Sequence, residues 1–162
     1  MSIAYLWDLA DTLFIETWDK QKSGFENLES FLQSKGQSQQ TMKPKTYEKI
    51  QEKLYLNNFI DVELAPGFWE VLKFTKSNYG FTTGTKEQIV CRQKQIVNKG
   101  GREFLHLFKD IFNTFDFSDT NVKTQDMYQK IVGDKFAQAL TVVYADNDLN
   151  NCQLFMRAAL RQ

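Results

Sequence analysis

The chain has 162 residues, 20 basic and 20 acidic side chains, and 42% hydrophobic content, a third of it aromatic at 14%. That length suits one domain, or one domain carrying a small insertion, and the apolar content excludes a disordered chain. The zero formal charge argues against nucleic acid as a partner, which needs a basic footprint.

Two cysteines, Cys91 and Cys152, are too few for a disulfide framework and read as reduced thiols. No stretch approaches the roughly 20 apolar residues of a membrane span. The first seven residues lack a basic region followed by a long apolar run, so no secretory leader is expected. The expectation is a cytoplasmic protein with no membrane partner.

Residues 3–7, Ile-Ala-Tyr-Leu-Trp, form a short apolar run that stops at Asp8 and predicts a buried strand. Residues 16–63 come next. They hold two amphipathic helical patterns, near 17–35 and 43–56, joined by a polar run, and no strand is expected among them. Pro66 introduces a helix over 67–77, with Phe68, Val71, Leu72 and Thr75 on one stripe. A strand over 79–82 stops at Thr83-Gly84. A helix over 86–99 carries Ile89, Val90, Gln93, Ile96 and Val97, and Gly100-Gly101 closes it. Residues 111–117 are less clean and combine helix end and strand. A helix over 124–140 carries Met127, Tyr128, Ile131, Phe136 and Ala139. The strand over 140–145 stops at Asp146, and a last helix covers 147–160. Non-alternating apolar strands separated by helices predict an α/β fold with a parallel sheet covered on both faces.

In such sheets ligands bind at the carboxyl ends of the strands. The residues there are Asp8, then Thr82-Thr83-Gly84, then Asp146, with Lys123 at the start of the helix before the last strand. Two carboxylates, a hydroxyl and an ammonium suit a divalent cation with a phosphate. One carboxylate is also a candidate nucleophile toward phosphorus. Taken singly, each residue has an ordinary reading: Asp8 as a cap, Thr82 as a strand residue, Lys123 as a solvated lysine. Asp148, Asn150 and Asn151 read as loop and cap residues. His106 reads as a packing or surface residue, with no second ligand at zinc spacing. Trp18, Phe25, Phe31, Tyr47 and Tyr55 read as a small core of the 16–63 segment.

The stretch Trp7-Asp8-Leu9-Ala10-Asp11-Thr12-Leu13-Phe14 resembles the first motif of the haloacid dehalogenase-like (HAD) superfamily, an apolar strand followed by Asp-x-Asp-x-Thr-Leu. Thr82-Thr83-Gly84 resembles the second motif, Lys123 with Asp126 and Tyr128 the third, and Tyr144-Ala145-Asp146-Asn147 the fourth. Leu64-Ala65-Pro66-Gly67 resembles the return from a cap to the core. The four motifs occur in order across residues 3–160.

The resemblance implies a HAD-like Rossmannoid three-layer core, residues 1–15 and 64–162, with a small helical cap at 16–63 inserted after the first strand. It implies Asp8 as nucleophile, and a Mg²⁺ held by Asp8, the main-chain carbonyl of Ala10 and Asp146. It implies Thr82 and Lys123 as phosphoryl-binding groups with Thr83 beside them, and a phosphorylated small molecule or phosphoprotein as substrate.

The departures matter. Position 10 normally carries the Asp that protonates the leaving group and activates water, help typically worth about 10²–10⁴ in rate. Here it is Ala10. Asp11 is adjacent, but a shift of one residue points it elsewhere. Phosphonoacetaldehyde hydrolases also carry Ala there and use a cap lysine. Lys20, Lys22, Lys43, Lys45, Lys49 and Lys53 are available, with nothing to single one out. Asn147 replaces the second Asp of the fourth motif. The expectation is a Mg²⁺-dependent phosphohydrolase impaired at position 10. The alternative is an inactive relative that binds phosphate or a protein.

Overall fold

The structure, a computed structural model, describes residues 3–18, 30, 32–38, 41–139 and 141–160, with only the backbone of Trp18. The elements run β1 (Ile3–Trp7), β2 (Phe14–Trp18), α1 (Pro44–Leu56), β3 (Ile60–Leu64), α2 (Phe68–Phe74), β4 (Asn78–Thr82), α3 (Lys86–Asn98), β5 (Phe108–Asn113), α4 (Gln125–Lys135), β6 (Thr141–Ala145) and α5 (Leu149–Ala159).

Four strands form a parallel sheet in the order β5-β4-β1-β6. The central position of β1 explains its composition. It is hydrogen-bonded on both edges, with Ala4 and Leu6 buried on one face and Tyr5 and Trp7 half-buried on the other, so apolar residues occupy both faces. Ala4 and Leu6 point into a core shared with Phe81, Phe112 and the buried faces of α4 and α5. Leu9, just beyond β1, enters the opposite core with Phe68 and Leu72 of α2, Ile89 and Ile96 of α3, and Phe104. The result is helix, sheet, helix: the three-layer α/β architecture with an insertion after the first strand. No described helix is long and apolar enough to cross a membrane. Cys91 and Cys152 are free thiols, and His106 lies at the surface.

Element ends follow local chemistry. Helix α2 stops short of the predicted residue 77 because Thr75 turns extended, its hydroxyl donating to Val71 O at 2.8 Å. Helix α4 stops at Lys135 because Phe136 turns into the core, edge-on to Tyr79 at 4.7 Å. Strand β5 begins three residues before the run at 111–117. That run breaks at Asn113, where a capping box with Asp116 starts a 3₁₀ turn over Thr114–Asp116.

One expectation is corrected. Residues 16–63 do contain strand. β2 and β3 pair antiparallel over Phe14↔Leu64 to Trp18↔Ile60 and straddle both ends of the segment. The residues decide it. Phe14 on one side, and Ile60 and Val62 on the other, are fully buried in the core of α2 and α3. A second correction concerns Tyr55, which belongs to that same core rather than to a core of the insertion. Tyr47 does pack locally, with Leu32. The helical pattern at 17–35 falls mostly outside the described residues, as do Lys20, Lys22, Phe25, Phe31 and Leu140.

Candidate functional site

Asp8 comes directly after β1, and its amide donates to Ala145 O at 2.8 Å, extending the β1–β6 pairing by one bond. Asp146 comes directly after β6. Adjacent parallel strands therefore deliver both carboxylates to one spot at the carboxyl edge. Lys123 joins them. Its ammonium lies 2.5 Å from Asp8 Oδ1 and 2.9 Å from Asp146 Oδ2. A third contact, to the Tyr144 hydroxyl at 3.4 Å, uses its last donor. Only 1% of the Lys123 side chain is exposed, so this is a desolvated ion cluster rather than a surface pair. Lys123 does not begin a helix as expected; it lies just before Thr124, the N-cap of α4.

The two carboxylates differ in environment. Asp146 Oδ2 accepts from Lys123, the Tyr144 hydroxyl and Asn151 Nδ2, and Oδ1 accepts from the Asp148 amide at 2.8 Å. Burial pushes the Asp146 carboxyl up, but Lys123 and these donors outweigh it and hold it below the usual range. Asp8 has Lys123 and the Thr12 hydroxyl at 3.0 Å. There burial outweighs Lys123, the charge of Asp146 adds to it, and the Asp8 carboxyl is raised. Tyr144 donates to Asp146, so the 2.7 Å bond between the Tyr128 and Tyr144 hydroxyls has Tyr128 as donor.

Thr82 ends β4, next to β1, and is buried; its hydroxyl accepts the Gly84 amide at 3.2 Å and shares no bond with the ion cluster. Phe81 connects β4 to the cluster instead, with Lys123 Nζ 5.2 Å from its ring centroid. Thr83 is exposed, and its carbonyl accepts Thr114 Oγ1 at 3.4 Å. Ala10 is half-buried and bridges to Phe14. Asp11 has a left-handed backbone, φ 56°, and its charged neighbours are Glu16 and Arg92. Asp148 caps α5 by accepting the Asn150 amide, as expected of a cap residue. Asn147 contributes to the site by bonding Thr12: its amide donates to Thr12 Oγ1 at 3.2 Å.

The donor set suits a hard divalent cation. Asp8 Oδ2 and Asp146 Oδ1 are not bonded to Lys123, and each holds only one neutral hydrogen bond, from Thr12 and from the Asp148 amide. The set is oxygen-only, and the cluster of two carboxylates and one ammonium carries net charge −1. Among the described residues no group of three or more His, Cys, Asp or Glu is placed to hold a metal ion.

A second buried polar cluster was not legible in the sequence. Glu48 of α1 is 3% exposed and accepts from Gln88 Nε2 and Asn121 Nδ2, both at 2.9 Å. Burial raises its carboxyl despite these donors. Arg92 holds Glu16 at 2.5 Å and the Tyr55 hydroxyl at 2.9 Å, and Gln95 bonds backbone groups of Tyr55, Ile60 and Val62. Gln88, Arg92 and Gln95 share one face of α3 at helical spacing. That polar stripe was the available signal.

The fold has counterparts among solved structures. The UTR4 protein of Saccharomyces cerevisiae is similar at 14% identity and TM-score 0.55, over 99% of this chain and 86% of that one. A HAD-family enzyme of Bacteroides thetaiotaomicron, solved as a magnesium complex, is similar at 14% identity and TM-score 0.63, over 97% and 89%. A HAD-superfamily hydrolase of Ehrlichia chaffeensis is similar at 15% identity and TM-score 0.53, over 96% and 83%. The fold resembles that of these solved HAD-superfamily structures. No protein-family model and no curated protein matches the sequence. Within this α/β fold, Asp8, Lys123 and Asp146 stand together at the carboxyl edge, where ligands of open α/β sheets bind.

Proposed function

We propose that the chain is a phosphohydrolase of the HAD type, acting on a phosphate monoester through Asp8 and slowed by Ala10. One observation carries this reading: a buried ammonium joins two carboxylates at the ends of adjacent parallel strands. An Asp8 oxygen attacks phosphorus while the bond from phosphorus to the ester oxygen breaks. The departing oxygen takes its proton from solvent, because Ala10 has none to give. Water then attacks the phosphorus of the aspartyl-phosphate, loses its proton to solvent, and phosphate leaves with Asp8 restored. Lys123 and Thr82 neutralise and position the phosphoryl oxygens. Lys123 frees a donor for this task by giving up Tyr144, its longest contact. Asp8, the Ala10 carbonyl and Asp146 would hold Mg²⁺, which supplies charge neutralisation when bound.

In this reading residues 1–15 and 64–162 are the core, and residues 16–63 are a cap that limits access to a phosphorylated small molecule or phosphoprotein. The free thiols agree with a cytoplasmic setting. Ala10 and the placement of Asp11 favour a second reading, a module that binds phosphate or a protein without turnover.

Hydrolysis of p-nitrophenyl phosphate, with Mg²⁺ and with chelator, separates the two. The natural chain, Ala10→Asp and Asp8→Asn are compared. A hydrolase gives Mg²⁺-dependent turnover that rises with Ala10→Asp, by about 10²–10⁴ on esters with poor leaving groups, and that disappears with Asp8→Asn. Equal silence from all three proteins leaves the binding module.

A further inference from the structure

A cavity of about 640 Å³ lies between α1, the start of α3 and the turn after β5. Its volume falls within the roughly 300–1,000 Å³ of small-molecule sites. Three lysines line it: Lys45 and Lys49, one turn apart on α1, and Lys86 at the first position of α3. Glu52 and Glu87 also line it, so the wall carries net charge +1. The lysines are weakly committed. Lys45 meets Asp119 at 3.8 Å and Lys86 meets Asp116 at 3.7 Å, all four side chains being at least one-third exposed, and such pairs are worth little.

The sheet register locates this cavity relative to Asp8. Asn113 in its wall is paired with Thr82 across β5 and β4, and β4 pairs with β1. Two strand spacings, about 10 Å, therefore separate the cavity floor from the strand that carries Asp8. Thr85, also in the wall, is three residues beyond Thr82. Cavity and ion cluster lie at the same edge of the sheet, and α1 reaches over it, since Glu48 bonds Gln88 and Asn121.

We infer that the cavity is a second anion subsite, and that the substrate is a small phosphate ester with a further phosphate or carboxylate about two strand spacings from the scissile phosphorus. This rests on the reading of Asp8, Lys123 and Asp146 as the phosphoryl site. The lysines take the distal anion, and Phe115 supplies an apolar wall beside them, with Lys45 Nζ 5.9 Å from its ring centroid.

The test uses a matched pair of probes, fructose 1,6-bisphosphate and fructose 6-phosphate. It compares the whole chain with a Lys45→Ala/Lys49→Ala/Lys86→Ala variant. Turnover is measured on both proteins, and calorimetric binding is measured on each in an Asp8→Asn background. The expected result is a kcat/KM preference for the bisphosphate of about tenfold, as three exposed charges allow. The triple variant should lose that preference while keeping turnover of the monophosphate. Turnover without preference in the natural chain overturns the subsite and leaves the hydrolase reading intact. Binding of the bisphosphate that the triple variant loses, with no turnover of either probe, supports the subsite and removes the hydrolase reading. Neither binding nor turnover overturns both.

Discussion

Replacing Lys123 with Met keeps an unbranched side chain, one heavy atom shorter, and removes its charge. The Asp8 and Asp146 carboxylates then face each other without a cation, in a place where the Asp146 side chain is 1% exposed and that of Asp8 11%. Removing one partner of a buried pair costs about 3–5 kcal/mol, because the other charge is left uncompensated. At roughly 2–4 °C per kcal/mol for a chain of this size, the melting temperature falls by about 6–20 °C. Differential scanning calorimetry reads it directly.

Two internal checks separate charge from packing. Adding Asp8→Asn to Lys123→Met removes one of the opposed charges and should recover part of the loss. The gap between natural chain and Lys123→Met should also narrow as the pH falls. Lys123 helps to hold the folded Asp146 carboxyl below its unfolded value, so its contribution is present above about pH 3.8 and is lost as pH falls through the folded value. A shift under about 2 °C, or a double variant no better than the single one, would refute the claim that the cluster is an ionised, desolvated unit.

Tyr144→Phe removes a donor from the ionised Asp146 and the acceptor of the Tyr128 hydroxyl. It should cost about 1.5–3 kcal/mol in urea unfolding, with an unchanged m-value. Glu48→Gln should behave in the opposite way at neutral pH. Burial raises the folded Glu48 carboxyl above its unfolded value, so its ionised form opposes folding; this penalty is complete above the folded value and vanishes below about pH 4.5. The variant should therefore melt higher than the natural chain at pH 7 and lose that advantage in acid, provided Asn121 turns its amide to face the new side chain. An equal or lower melting temperature at pH 7 would count against an ionised Glu48.

How much the sequence disclosed depended on how local the signal was. The run Ile3–Trp7 identified itself because it is apolar throughout and short, although only Ala4 and Leu6 are fully buried. Asp8 and Asp146 were legible because parallel strands all end at one edge of the sheet, so the residues just past them gather there, and Lys123 by its place before the helix that leads into the last strand. β2 and β3 were missed because neither looks like a buried run: Phe14–Trp18 reads FIETW and Ile60–Leu64 reads IDVEL. Each buries one face only, and each finds its partner more than 40 positions away in the chain, which a window of local periodicity cannot see. Glu48 and Arg92 were missed for a related reason. A charged residue on a helix is assumed to face water, and only the packing of α1 on α3 shows that these two do not.

The pairing of β1 with β6 bears on how the molecule is made. Asp8 is 115 positions ahead of Lys123, and Ile3 waits for Thr141 to add the edge strand β6 beside β1. Contacts of such long range require loop-closure entropy to be met before they return any stabilisation, which slows folding. During synthesis, Asp8 emerges long before Lys123 and Asp146 leave the ribosome. The ion cluster therefore closes late, in the step that seats the last strand beside the first. A nascent chain that has not yet reached Thr141 has neither β6 nor Asp146, and so no ion cluster.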